Sequence, residues 1–250
     1  MHVRNQHRLR CSFLSALICL LGTTLWAQAP QGSRLLFYER FIAIDQACAW
    51  PNLSLLPDGK IAAIIWPYMN HGVTEGSAEC WVSADGGKTW NKSGIPVPHT
   101  QGTNRMNVAA GPVGNQLVAL VGGWNERVPF EPGRSLGPAS HRGLTIQPVT
   151  AVSDDSGTNW NSFSGPQFPL RPSGKGLVPY GRIAKLKEGG LGAFLYGEGV
   201  YFYHSNDGGR NWTLCGTLTK ENTHNETTWV ELENGDLFAA ARTYGDMRLD

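Results

Sequence analysis

The apolar positions of this chain fall in short runs closed by turn residues. Residues 53–56 and 61–65 flank Pro57-Asp58-Gly59, and residues 117–121 follow Val113-Gly114-Asn115. Glu188-Gly189-Gly190 and Glu233-Asn234-Gly235 mark two more turns, so four hairpins are predicted. Runs that are apolar on both sides suit strands covered on both faces. Other runs, Glu79-Cys80-Trp81-Val82 and Val200-Tyr201-Phe202-Tyr203, lead into a second kind of turn.

That second turn occurs three times. Residues 83–90 read SADGGKTW, residues 153–160 read SDDSGTNW and residues 205–212 read SNDGGRNW. Each has Ser, then Asp two residues on, Gly two after that, and Trp three further along. Ser and Asp side chains can accept from the turn's own N–H groups, Gly takes a positive φ, and Trp returns the chain to the core. Repeats of about 40–70 residues built from short strands predict a β-propeller. The three turns resemble the Asp box of the sialidases (neuraminidases), which implies an all-β, six-bladed propeller with the box as a structural turn away from the active site. Six such blades need roughly 300 residues or more. The expectation is therefore a partial propeller over residues 30–250, with three blades and the beginning of a fourth.

Residues 1–29 read as a secretory signal. Arg4, Arg8 and Arg10 precede an apolar run over residues 13–26, and Ala27 and Ala29 offer cleavage points. A secreted or periplasmic location follows, with no membrane contact beyond that segment. Of 21 basic and 20 acidic residues, the segment removes three basic ones, leaving 18 against 20. With no basic cluster remaining, nucleic acid is excluded as a partner. A nearly neutral chain rich in Gly and Trp suits a carbohydrate partner, because flat aromatic faces stack on sugar rings. Cys48, Cys80 and Cys215 remain in the mature chain, match no zinc spacing, and read as small core residues. No cofactor or metal is called for, and a monomer is expected.

Counting back nine residues from the turn glycine of each hairpin reaches Trp50, Arg105, Tyr180 and Glu226. If the registers correspond, these four surround one funnel, where propellers bind ligands. The Asn234-Gly235 turn sets Glu226 opposite Thr243 and beside Arg242, so a carboxylate meets a guanidinium. A plain solvated ion pair is the alternative reading. Asn225-Glu226-Thr227, Val230-Glu231-Leu232, the Asn-Gly turn and Ala241-Arg242 resemble the sialidase segment that carries the catalytic Glu and the second Arg of the substrate triad. The resemblance implies that Glu226 polarises an attacking tyrosine and that Arg242 holds the sugar carboxylate.

The chain departs from the sialidase pattern in two places. Ala49 and Trp50 stand before Pro51 where sialidases have Arg-Ile, so the first triad Arg is missing unless Arg105 or Arg182 replaces it. The 67–77 loop, where sialidases carry their acid/base Asp, offers Asn70, His71 and Glu75, of which His71 and Glu75 suit proton transfer. Asp45 is a further candidate. The sialidase tyrosine and third Arg correspond to positions beyond Asp250. Trp124 and Arg134, in a Pro- and Gly-rich stretch over 122–142 expected as a loop, are candidate pocket contacts; His224, Tyr244 and Arg248 lie near the site and carry less weight. The leading expectation is a sialidase-like glycoside hydrolase acting on a terminal acidic sugar. The alternatives are a polysaccharide lyase on uronic acids, and a noncatalytic glycan-binding propeller with Trp50, Trp66 and Tyr180 as stacking surfaces.

Overall fold

A computed structural model describes residues 40–47, 49–126, 142–163, 168–169, 174–220 and 223–243. The chain forms two compact units, 1–41 and 42–250, and every described strand lies in the second. The expected signal over residues 1–29, and also Cys48, Arg134, Tyr244 and Arg248, fall outside the described residues. Those described are all-β, and none of them forms a helix able to cross a membrane.

The first sheet is a meander of β1 (Ala49–Leu55), β2 (Ile61–Trp66), β4 (Glu79–Ser83) and β5 (Asn91–Gly94), in that order. Next come β7 (Asn107–Val113), β8 (Gln116–Glu126), β9 (Arg142–Ser153) and β10 (Asn161–Phe163). A third meander holds β11 (Val178–Lys185), β12 (Leu191–Tyr196), β13 (Val200–Ser205) and β14 (Thr213–Thr219). Finally β15 (His224–Glu231) and β16 (Leu237–Thr243) form a hairpin. Two short strands, β3 (Gly76–Ser77) and β6 (Asn104–Arg105), pair in parallel between the first and second meanders. All four predicted hairpins are present.

The meanders stack face to face, which is why the runs are apolar on both sides. Residues 117–121 are all buried. Leu117, Ala119 and Val121 pack toward Ile64, Ala78 and Cys80 of the first sheet. Val118 and Leu120 pack toward Ile183, Leu191, Leu195 and Trp212 of the third. Phe194, Val200 and Trp229 fill the space between the third sheet and β15. Full burial of each such side chain contributes roughly 1.5–3 kcal/mol. Cys80 sits in this core, its thiol pushed up to about 12 by burial. Cys215 does not, because β14 is the last strand of its sheet and leaves that residue exposed.

The strands that open the meanders approach one another closely. β7 and β11 pair in parallel, Gly181 with Ala109 and Arg182 with Ala110. A Cβ at Gly111 would lie 1.8 Å from the Ile183 carbonyl oxygen, and one at Gly181 (φ +80°) 2.5 Å from that of Thr227. Side chains are excluded there.

The three Ser-x-Asp turns share one hydrogen-bond scheme. Ser83, Ser153 and Ser205 each accept at Oγ from the N–H of Gly87, Gly157 and Gly209 at 2.8 Å. Each Ser also donates to its Asp at 2.8–2.9 Å. The three glycines have φ of 89–91°. Each indole donates to the carbonyl of its turn glycine, and Trp212 also reaches Thr150 Oγ1 of the second sheet at 3.1 Å. The turns thus close hairpins, and the third also ties its meander to the second.

Gly111→Ala is expected to destabilise the protein by about 1–3 kcal/mol or more, read from urea or thermal unfolding. Gly216→Ala, whose Cβ would find only Phe202 Cβ at 3.9 Å, should stay within about 0.5 kcal/mol. Equal effects would refute the close-approach argument.

The turn carboxylates give a pH prediction. Hydrogen bonds from the Thr89 side chain and backbone hold Asp85 below the usual carboxylate range, and the Asn159 N–H does the same for Asp155. At Asp207 burial opposes, but bonds from Asn211 and Ser205 prevail. A lowered folded pKa gives stability that is present above the unfolded value of about 3.9 and lost as pH falls through the folded one. Asn at all three positions should therefore flatten the loss of stability below about pH 4, read as unfolding midpoints across that range.

Candidate functional site

Three of the four opening strands carry a bulge at the same place. Register breaks between Ala49 and Asn52 in β1, between Pro179 and Ile183 in β11, and between His224 and Thr227 in β15. The extra residues, one each in β1 and β15 and two in β11, turn side chains toward one cleft, and Trp50, Tyr180 and Glu226 all line it. Trp50 has a φ of +44°, an outlying conformation for a bulky residue. His71, Met106, Asn107, Val108, Trp124 and Tyr196 complete the lining.

In the second sheet the nine-residue count fails. β7 pairs with β8 without a bulge from Asn107 to Val113, and Arg105 belongs instead to the short strand β6. Arg105 is half-buried, its guanidinium donating to the carbonyls of Gln147 at 2.8 Å and Val121 at 3.3 Å. Asn107 and Trp124 face the cleft where Arg105 was expected. Arg182 also points elsewhere: it lies over the Trp229 ring, 5.6 Å from its centroid, while its own carbonyl accepts from the Trp229 indole. Neither arginine supplies the missing guanidinium to this cleft.

Glu226 and Arg242 meet as the turn register implied. Arg242 Nη1 donates to Glu226 Oε2 at 2.8 Å. One detail changes: the hairpin pairs His224 with Thr243 and Thr227 with Ala241, so the bulge places Glu226 beside Arg242 and not opposite Thr243. The carboxylate is mostly covered and the guanidinium more open, with side chains 25% and 58% exposed.

The loop after β2 brings His71 to the cleft. Trp66 Nε1 donates to the Asn70 carbonyl at 2.9 Å, and Asn70 Oδ1 accepts from Val73 N–H at 3.1 Å. Asn104 Nδ2 donates to the Gly72 carbonyl at 3.0 Å. Gly72 (φ +67°) is needed there, since a Cβ would strike Met106 Sδ. The His71 ring then lies against Trp50, with centroids 4.4 Å apart. Glu75, at the other end of the loop, accepts from Gly102 N–H at 2.7 Å and lies 3.8 Å from His99, outside the cleft. Asp45 binds the N–H of its neighbour Gln46 on the surface. Trp66, 1% exposed, is a core residue and not a stacking surface. His224 Nδ1 bonds Thr223 Oγ1 at 2.8 Å. The stretch expected as a loop over 122–142 is partly strand: β8 continues through Trp124, which pairs with Thr145.

Burial raises the Tyr180 phenol above its ordinary value, the Glu226 carboxylate adds to this, and Arg242 opposes it. Phenol, carboxylate and guanidinium are thus within electrostatic reach of one another. Sequence reasoning missed Met106, Asn107, Val108 and Tyr196; the missing bulge in β7 has no residue signature that would have revealed Asn107.

No protein-family model and no curated protein sequence matches this chain. Solved structures do. A Dyadobacter fermentans protein of unknown function aligns at 19% identity and TM-score 0.60, over 80% of this chain and 63% of that one. A Trypanosoma rangeli sialidase solved with the inhibitor DANA aligns at 20% and 0.55, over 77% of this chain and 34% of its own length. A Hadza microbial sialidase gives 17% and 0.56, with 80% and 43% covered. The chain therefore has a sialidase-like fold. It spans between about a third and under two thirds of the length of these proteins.

In an ultraviolet titration of tyrosine ionisation, with Tyr180→Phe identifying the signal, Glu226→Gln should lower the Tyr180 transition and Arg242→Met should raise it. Transitions unmoved by both changes would place the charges out of reach of the phenol.

Proposed function

We propose that this chain is part of a secreted, sialidase-like glycoside hydrolase that removes a terminal acidic sugar from glycans. The meanders would be three blades and the opening hairpin of a fourth in a six-bladed propeller. Further blades are supported by apolar side chains on the outermost strands: Leu53 and Leu55 of β1 are 62% and 68% exposed, and Phe238 of β16 62%. Residues 1–29 would direct export.

One observation carries the chemistry: a carboxylate, bonded at 2.8 Å to a guanidinium, lines a cleft walled mostly by aromatic rings. In the reaction, Glu226 accepts the proton of a tyrosine phenol as its oxygen attacks the anomeric carbon. A phenol approaches an anionic sugar with less repulsion than a carboxylate would. His71, which lines the cleft while Glu75 is bonded to Gly102 outside it, protonates the departing oxygen. Arg242 holds the sugar carboxylate. The sialidase neighbours include a Trypanosoma rangeli enzyme in complex with sialic acid, which supports the substrate class.

Release of fluorophore from a fluorogenic sialoside by the full-length protein is expected, and Glu226→Gln should reduce it at least about 100-fold. No release from any acidic glycoside would refute the hydrolase reading.

A further inference from the structure

Two residues of the cleft have no part in this charge chemistry. Trp50 stands at the mouth of β1 with its backbone at φ +44°, and strain of that kind gathers at ligand sites. It turns an indole into the cleft, with His71 supporting the ring at 4.4 Å. Asn107, from the strand without a bulge, lines the same cleft. Its Oδ1 is buried and has no hydrogen-bond partner among the described residues. A buried acceptor left unmet is costly, and a ligand donor would satisfy it.

We propose that Trp50 and Asn107 form an uncharged sugar-ring subsite. The C–H face of a pyranose lies on the Trp50 indole while a ring hydroxyl or amide N–H donates to Asn107 Oδ1. This rests on the hydrolase reading for placing a sugar in the cleft, but it needs neither Glu226 nor Arg242. Where a first guanidinium would have demanded a carboxylate, this cleft reads a ring face and a hydrogen-bond donor. The occupant is then a pyranoside whose single acidic group, where it has one, is left to Arg242.

Equilibrium binding tests this without turnover. The probes are methyl α-D-galactopyranoside, D-glucuronic acid and N-acetylneuraminic acid, titrated calorimetrically into the full-length protein. All three should bind, the acids more tightly. Trp50→Ala and Asn107→Leu should each weaken the neutral glycoside about tenfold or more. Trp50→Phe and Asn107→Asp, which keep a ring and an acceptor, should restore most of that loss. Arg242→Met should weaken the acids and leave the galactoside unchanged. Wild-type protein that binds none of the probes, or galactoside affinity indifferent to both Trp50→Ala and Asn107→Leu, would overturn the subsite. Because Glu226→Gln should abolish turnover and keep galactoside binding, failure of the hydrolase reading is separable from failure of this one.

Discussion

The constraint on which the rest depends is the close packing of the strands that open each meander. Backbone meets backbone at Gly111 against Ile183 and at Gly181 against Thr227, so no side chain can intervene. Strands packed this tightly cannot bend together without relief, and bulges in β1, β11 and β15 coincide with the crowding. The same bulges turn Trp50, Tyr180 and Glu226 into shared space. Packing and site have one geometric origin.

The Glu226–Arg242 pair gains its meaning from that position, not from its energy. With the guanidinium more than half exposed, such a pair contributes about 0–1 kcal/mol to stability. That is less than one buried leucine, of which this core has several. A pair so weak is no explanation for a bulge that interrupts a hairpin ladder. It does set the local field: the carboxylate raises the Tyr180 phenol and the guanidinium tempers the effect. A phenol kept protonated can donate to a ligand oxygen or pass its proton on.

Much of this was legible in the residues, because it depended on local chemistry. The Ser-x-Asp-x-Gly turns predict their own hydrogen bonds, since each partner lies within four residues. Asn234-Gly235 fixed the hairpin to within one residue, enough to bring 226 and 242 together. What failed was long-range. Arg105 and Arg182 read as ligand-binding because they are arginines near funnel positions, yet carbonyls 16 and 42 residues away claim one and an indole 47 residues away the other. Nothing local distinguishes a guanidinium that caps carbonyls from one that waits for a substrate. Asn107 escaped notice for the converse reason: whether β7 bulges is decided by its neighbours.

Ala49-Trp50 ahead of Pro51, where the sialidase pattern has Arg-Ile, has a definite consequence. Without a bulge the Trp50 side chain would have followed the ladder; with one, at φ +44°, it occupies the cleft itself. An arginine reaches a carboxylate through a flexible stem and a fork of donors, whereas an indole offers a rigid plane with one donor at its edge. On the proposed reading the cleft would offer shape recognition at one wall and, at another, the Glu226 carboxylate bonded to Arg242. A ligand suited to both would carry its acidic group at one end and a clean C–H face on the ring beside it, a narrower requirement than the fold alone imposes.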